Sequence, residues 1–288
     1  MKLALSIGLF LICPFLWGQI EHPKASPYSR IEQQLGLSKI TVEYSRPAVR
    51  GRDIFGGLVP YGRIWRVGAN ESTKISTDSE LNIGGNKLPA GTYALYAFPE
   101  EESWQVVFHT NTSHWGDGRK AYKPEEDAFR IRLKPEKLSE KQENFLITFD
   151  DIDHNSMKML WLWDYTKISI PISVDTHAAM QAEISRKIAD NPTAQTYYEA
   201  ARYLQEQAKD FPRALEYLNK ALEIGGDTYY FHRVKSLVQA ALGDFSSAVI
   251  SAQKSLELAS AQGKDEFVRM NQKNIDDWKM VLKTKKNE

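Results

Sequence analysis

The 288-residue sequence predicts an α+β chain in two parts: an antiparallel β-sandwich, then an all-α domain of helical hairpins. Three observations predict it. Runs between residues 40 and 174 alternate apolar and polar side chains, the period of a sheet with one wet face. After Pro171 the apolar spacing lengthens to about 3.6 residues, that of an amphipathic helix. Within that second part, two segments repeat at an offset of 244 − 210 = 34 residues.

Taken in order, the chain opens on residues 1–18, "MKLALSIGLFLICPFLWG". Lys2 is a short positive start, and Leu3 to Leu16 is an apolar core followed at once by polar sequence. That is the pattern of a secretory signal, with cleavage expected near Gly18. A retained anchor would need about 20 apolar residues. Lipid attachment at Cys13 is disfavoured by Ile12 before it and Pro14 after it. Cys13 is the only cysteine, so the processed chain would have neither thiol nor disulfide. The remaining 288 − 18 = 270 residues suit about two domains. Lys plus Arg and Asp plus Glu both number 37, a balance that gives no basis for non-specific nucleic-acid binding.

The strand region is expected at 38–174. "ITVEYS" sets Ile40, Val42 and Tyr44 against Thr41, Glu43 and Ser45. "LNIGGNKL" reads as a tight hairpin, because glycine accepts the positive φ of a primed turn. "LPAGTY" is a Pro-then-Gly turn feeding "TYALYAF", and "FRIRLK" and "KISIPISV" alternate cleanly. "WQVVFHT", "NFLITF" and "MKMLWLW" are apolar on both faces near their middles and read as central strands. Short strands with regular turn signals suggest a sandwich of immunoglobulin-like or jelly-roll style, with a small barrel as the alternative.

The helical region is expected at 175–288. Asp175 is placed to cap a helix carrying Met180, Ile184 and Ile188, and Asn191 to cap the next, with Pro192 at its first position. "DFPRALEYLNKALEI" from Asp210 and "DFSSAVISAQKSLEL" from Asp244 share Asp, Phe, Ala, Lys, Leu and Glu in register. Ala214 and Ala248 suit a close helix crossing, and Gly243 a tight turn. This pattern resembles the second-helix half of tetratricopeptide repeats, although the first-helix signature is mostly missing. A plain helical bundle would share much of it.

One segment stands apart. Residues 46–71, "RPAVRGRDIFGGLVPYGRIWRVGANE", hold Arg46, Arg50, Arg52, Arg63 and Arg66 but no lysine. Together with "KLPAGTY" (Lys87 to Tyr93) and Trp115-Gly116, residues Ser45 to Glu71 resemble a family of exported bacterial domains of unknown function. The resemblance covers about residues 38–175. It implies export, and some members carry helical repeats behind the domain. It implies no reaction and no ligand.

Arginine offers five donors in a planar fork and stacks on aromatic rings, which lysine does not. Arg52 and Arg66 are therefore expected to anchor the loop, with Asp53 and Glu71 as nearby acids. Ile54, Phe55, Leu58, Val59 and Tyr61 are expected to pin it. The candidate ligand contacts are Arg46, Arg63, Trp65, Asn70 and Glu71, with His109 and Trp115 from the later motif. No catalytic residue, metal site or cofactor is assigned. His109, His114 and Asp117 are close in sequence, but their spacing copies no known metal site. "DDIDHNS" lacks the Gly and Glu of a calcium loop, since Ser156 and Leu162 stand there. Two functions remain in view. One is a non-enzymatic envelope or periplasmic binding protein, with an anionic or sugar ligand at the arginine loop and a protein partner on the helices. The other is an envelope hydrolase acting on a glycan or anionic substrate, with Glu71 transferring protons.

Overall fold

The computed structural model describes residues 22–116, 119–207 and 210–285, so the expected signal segment, with Cys13, and Asp117 lie outside the described residues. The chain divides between Thr176 and His177 into two compact units. The first contains β1 (Tyr28–Leu35), β2 (Ser38–Ser45), β3 (Thr73–Thr77), β4 (Leu81–Ile83) and β5 (Asn86–Leu88). It continues with β6 (Gly91–Phe98), β7 (Trp104–His109), β8 (Asp127–Leu133), β9 (Glu136–Asp150) and β10 (Ser156–Ser173). The second contains α1 (Thr176–Ala189), α2 (Ala194–Glu206), α3 (Phe211–Glu223), α4 (Tyr229–Ala241), α5 (Phe245–Ala261) and α6 (Asp265–Thr284). A β domain followed by an all-α domain is the architecture expected from the two periods. Among the described residues no helix is long and apolar enough to cross a membrane.

The strands form two antiparallel sheets, ordered β1-β2-β3-β6-β7-β8 and β5-β4-β10-β9. Their inner faces make one core. Val42, Ile75, Leu95 and Phe108 meet Ile147, Trp161, Trp163 and Ile170 there. Gly84 and Gly85, both at positive φ, close the β4–β5 hairpin where the glycine pair predicts it.

Three features differ from the expectation. First, "MKMLWLW" and "KISIPISV" are one strand, the 18-residue β10. Trp161 and Trp163 face the core at odd positions, whereas Ile168, Ile170 and Ile172 face it at even ones. A regular strand cannot do both, because its side chains alternate strictly. The phase changes at Asp164, which has φ 53° and sits between two register shifts against β9. This bulge is what a simple reading of alternation splits into two strands. Second, β9 is an edge strand rather than a central one. Its free side is closed by Pro47–Val49: the Val49 amide donates to the Glu143 carbonyl and the Phe145 amide to the Pro47 carbonyl, both at 2.8 Å. Third, the sheet begins at β1, before residue 38. β1 is a polar edge strand, as exposed edges tend to be.

The helical unit is built by caps and small residues. Asp210 and Asp244, equivalent in the 34-residue repeat, each accept from the backbone amide three residues on, at 3.1 and 3.0 Å. Ala214 and Ala248, the expected close-crossing residues, are fully buried. The cap of α2 is Thr193 rather than Asn191. Thr193 is extended and exchanges bonds with Thr196, while Asn191 has left-handed backbone. Between α4, α5 and α6 runs a buried polar seam. Asn271 Nδ2 donates to Ser255 Oγ at 2.8 Å, Ser255 Oγ donates to the Tyr229 carbonyl at 2.6 Å, and Arg233 donates to Asn271 Oδ1 at 3.1 Å. Asn271 and Ser255 have no exposed surface. Removing the amide takes a donor from Ser255 Oγ and an acceptor from the Arg233 guanidinium. Asn271→Leu should therefore cost about 1–3 kcal/mol, measurable as a lower urea midpoint with unchanged slope.

Candidate functional site

The segment after β2 is placed by hydrogen bonds that a sheet would otherwise make. Arg46, half-buried, donates through Nε to the Phe145 carbonyl of β9 at 3.0 Å. Arg50 and Gly51 turn the chain with φ of 49° and 69°. Arg52 reaches back to the Val49 carbonyl through Nε at 3.0 Å and to the Ala48 carbonyl at 2.5 Å. Residues 53–59 coil tightly, with the Leu58 and Val59 amides donating to the Asp53 and Ile54 carbonyls at 2.9 and 2.8 Å. A Cβ on Gly57 would lie 2.5 Å from the Asp53 carbonyl oxygen, so only glycine fits there. Ile54 and Val59 are buried pins, and Phe55 packs on the core from a half-buried position. Leu58 and Tyr61, also expected as pins, are exposed.

The segment ends in an aromatic hub. Trp65 exchanges backbone hydrogen bonds with Ala97 of β6, at 2.7 and 2.9 Å, and its indole lies between the sheets. It stacks on Trp163, with centroids 5.8 Å apart, and meets Phe55, Trp104 and Phe145 edge-on at 5.3–6.0 Å. Its Nε1 donates to the Gly68 carbonyl at 3.3 Å. Around this hub lies a pocket of about 500 Å³ lined by Arg52, Arg63, Arg66 and Arg119, with Val59, Ile64 and Trp65 as apolar wall. Arg119 comes from the loop after β7. Arg66 and Arg119 are each engaged within the protein.

The Protein of unknown function (DUF2911) family model matches residues 26–172. The chain belongs to this family. The match includes β1 and nearly all of β10, so the DUF2911 domain is the whole two-sheet unit. No curated protein matches the chain.

The DUF2911 domain distributes the sequence candidates unevenly. Arg63 is exposed at the pocket. Trp115 is 75% exposed and bridges to Glu71. Three of the proposed contacts are structural instead. Arg46 clamps β9, Trp65 is core, and Asn70 donates to the Ser26 carbonyl and Ser45 Oγ at 3.2 and 3.1 Å. Glu71 is exposed and paired with Lys74 at 3.1 Å. It lines a cleft of about 130 Å³ that Glu43 also lines, and Glu43 accepts from the Tyr28 hydroxyl. That hydrogen bond is the main cause pushing the Tyr28 hydroxyl up. A wider depression of about 750 Å³ borders Gly84, Gly85 and residues 151–153. There Asp153 accepts from the Asn155 and Ser156 amides at 2.6 and 2.7 Å, which holds its carboxyl below the usual range. Asp153 of "DDIDHNS" thus braces the turn between β9 and β10.

His109 is no surface contact. It is fully buried on the outer face of the six-stranded sheet, under the loop that follows β7. Its Nδ1 is 2.9 Å from Asp127 Oδ1, directly across the β7–β8 ladder. Asp127 also accepts from the Tyr122 hydroxyl at 2.8 and 2.9 Å and from Arg130 Nε at 2.6 Å. Burial first, then Asp127, push the Tyr122 hydroxyl well up, which keeps it a donor. Glu126, His114 and Tyr96 complete the cluster: Glu126 Oε2 lies 3.3 Å from His109 Nε2, and the Tyr96 hydroxyl 3.3 Å from His114 Nδ1. Sequence reasoning missed Arg119, Glu126, Asp127, Tyr96 and Tyr122. The pairing of β7 with β8, visible only in three dimensions, brings the acids to the histidine.

The division of roles among the arginines is measurable. Arg46→Ala removes a charged donor from a half-buried carbonyl and should cost about 1–3 kcal/mol. Arg63→Ala, at an exposed site, should stay within about 0.5 kcal/mol. Urea titrations of the two variants check the contrast.

Proposed function

We propose that the chain is an exported binding protein of the envelope or periplasm, its DUF2911 domain taking an anionic or sugar-acid ligand at the arginine pocket. The observation that carries this reading is a pocket lined by four arginine residues from two loops beside Trp65, with Arg63 exposed on its rim. Guanidinium forks bind carboxylates, sulfates and phosphates bidentately, and an apolar wall suits the face of a sugar ring. The hydrolase alternative draws less support, because Glu43 and Glu71 are both held by donors of the chain itself.

The helical unit is the partner-binding half in this proposal. Its 34-residue repeat, matched N-caps and buried alanines at equivalent positions favour a tetratricopeptide-like array over a plain bundle. Export rests on the basic, then apolar, first 18 residues. Chain recovered from the native host should begin near Gln19; an intact Met1 in a soluble cytoplasmic fraction would end the export reading.

The ligand reading is tested by thermal shift against anionic glycans, sugar acids and their neutral counterparts. Stabilisation by anionic members alone is expected. Arg63→Ala should weaken that binding about tenfold or more while leaving the unliganded melting temperature unchanged. Equal response to neutral sugars, or wild-type affinity in the variant, would move the site elsewhere.

A further inference from the structure

We propose that His109, His114 and Glu126 bind a divalent transition-metal ion of the zinc class, with Asp127 as the positioning residue behind His109. The first observation is an idle nitrogen. His109 has no exposed surface, and its Nε2 makes no hydrogen bond among the described residues. Buried polar atoms are ordinarily satisfied, because an unsatisfied one loses its hydration without compensation. Asp127 can only accept, so Nδ1 is the donor to it and Nε2 is the nitrogen left to face the cluster. Facing it at 3.3 Å is an oxygen of Glu126, another acceptor. A nitrogen and a carboxylate oxygen this close share a positive centre between them, which a proton or a metal ion can supply.

The second observation is the spacing. Ligand atoms about 2.0–2.1 Å from a tetrahedral ion lie about 3.3–3.4 Å apart. The Nε2–Oε2 distance of 3.3 Å matches that edge. A ring nitrogen of His114 completes a set whose ligand atoms all lie within 4.8 Å of one another. His114 sits on the connecting loop, its ring centroid 5.5 Å from that of His109.

The third observation is the support behind the ligands. Metal-bound histidines commonly donate their other nitrogen to a carboxylate, which orients the ring and raises its basicity. Asp127 does this for His109, and Tyr122 and Arg130 hold Asp127 in turn. Asn111 Nδ2 donates to Glu126 Oε2 at 3.1 Å, which steadies the carboxylate ligand. Two imidazoles and a carboxylate suit zinc or another borderline first-row ion rather than calcium, which takes oxygen ligands only. Three protein ligands leave a fourth position for water or for an oxygen of a bound molecule. The sequence spacing of His109, His114 and Asp117 does not reveal this set, because Glu126 arrives from the far side of the loop.

The test uses the full exported chain, untagged, stripped with chelator and dialysed. It is titrated with Zn²⁺ by calorimetry and with Co²⁺ by visible absorption. One ion per chain is expected, with the Co²⁺ spectrum of a low-coordinate nitrogen and oxygen site. Because His114 is only half-buried, His114→Ala should fold as judged by circular dichroism, and should bind at least about tenfold more weakly. Glu126→Gln should do likewise, whereas His154→Ala, in an exposed turn, should bind as wild type. Binding of less than about half an equivalent, or wild-type affinity in folded His114→Ala and Glu126→Gln, would overturn the site. Equal weakening by His154→Ala would overturn it too, by revealing adventitious surface chelation.

Discussion

The burial of Trp65 between the two sheets is the constraint on which the rest of the β unit depends. The chain leaves the first sheet after Ser45, closes the open edge of β9 in the second, and must then return. Trp65 is where it returns. The backbone there pairs with Ala97, and the indole stacks against Trp163 among Phe55, Trp104 and Phe145. An indole in such company buries about 150–250 Å² and gains further from edge-on contacts. With both ends tied, residues 46–65 have little freedom. Their tight glycine turns and carbonyl-binding arginines follow from having to fill that span without sheet hydrogen bonds. The arginine pocket is the outer rim of the same construction, which is why apolar Trp65 and Val59 share its wall with guanidiniums.

A second layer rests on the other side of the six-stranded sheet. Tyr93, Leu95 and Ala97 of β6 face the sandwich core, so Ala94 and Tyr96 face outward, where they form a small cluster with Val107. Ile64 and Tyr122 cover that cluster. His109 is buried in this layer rather than in the main core; Asp127 reaches it from the neighbouring strand β8, and His114, Tyr122 and Glu126 from the cover. The loop after β7 therefore has two tasks at once. It packs Tyr122, His114 and Glu126 against Tyr96 and His109 of the outer layer, and it sends Arg119 to the pocket beside Trp65. Ile64, a neighbour of Trp65 in sequence, belongs to both places. A ligand at one site and an ion at the other would thus act on one loop.

Much of this fold is legible in the sequence because local rules decide it. Two adjacent glycines make the β4–β5 turn, and a 34-residue recurrence of Asp-Phe sets equivalent helix starts. What the sequence hides is long-range. Alternation in β10 changes phase at Asp164; aspartate tolerates left-handed backbone, but amid an apolar run it does not by itself mark a bulge. The edge position of β9 is concealed over its second half, where Pro47–Val49 pairs with it and Phe145 to Phe149 are mostly apolar. β1 is polar enough to pass for a tail. The cluster around His109 is hidden for the same reason: Asp127 is 18 residues away in the chain and directly opposite in the ladder. Candidate residues chosen by type and proximity, such as Arg46 and Asn70, prove to be ties for carbonyls and hydroxyls that no linear reading places beside them.

The absence of lysine from residues 46–71 then has a physical reason that does not require a ligand. Arg46 bonds the Phe145 carbonyl through Nε, an atom in the plane of the guanidinium and close to the side-chain stem. A lysine ammonium lies further out, is more strongly hydrated, and would have to fold back to reach the same oxygen. Arg52 makes two bonds with one rigid fork, to the Val49 and Ala48 carbonyls, and so holds a turn that contains two left-handed residues. A single ammonium could approach both oxygens only by giving up linear geometry at each. For Arg46 and Arg52, then, arginine is selected by the backbone they serve. Arg63 is different, since it is exposed where it lines the pocket. Structure accounts for the first two without reference to anything bound, and it is the rim position of Arg63 that gives the binding proposal its specific content.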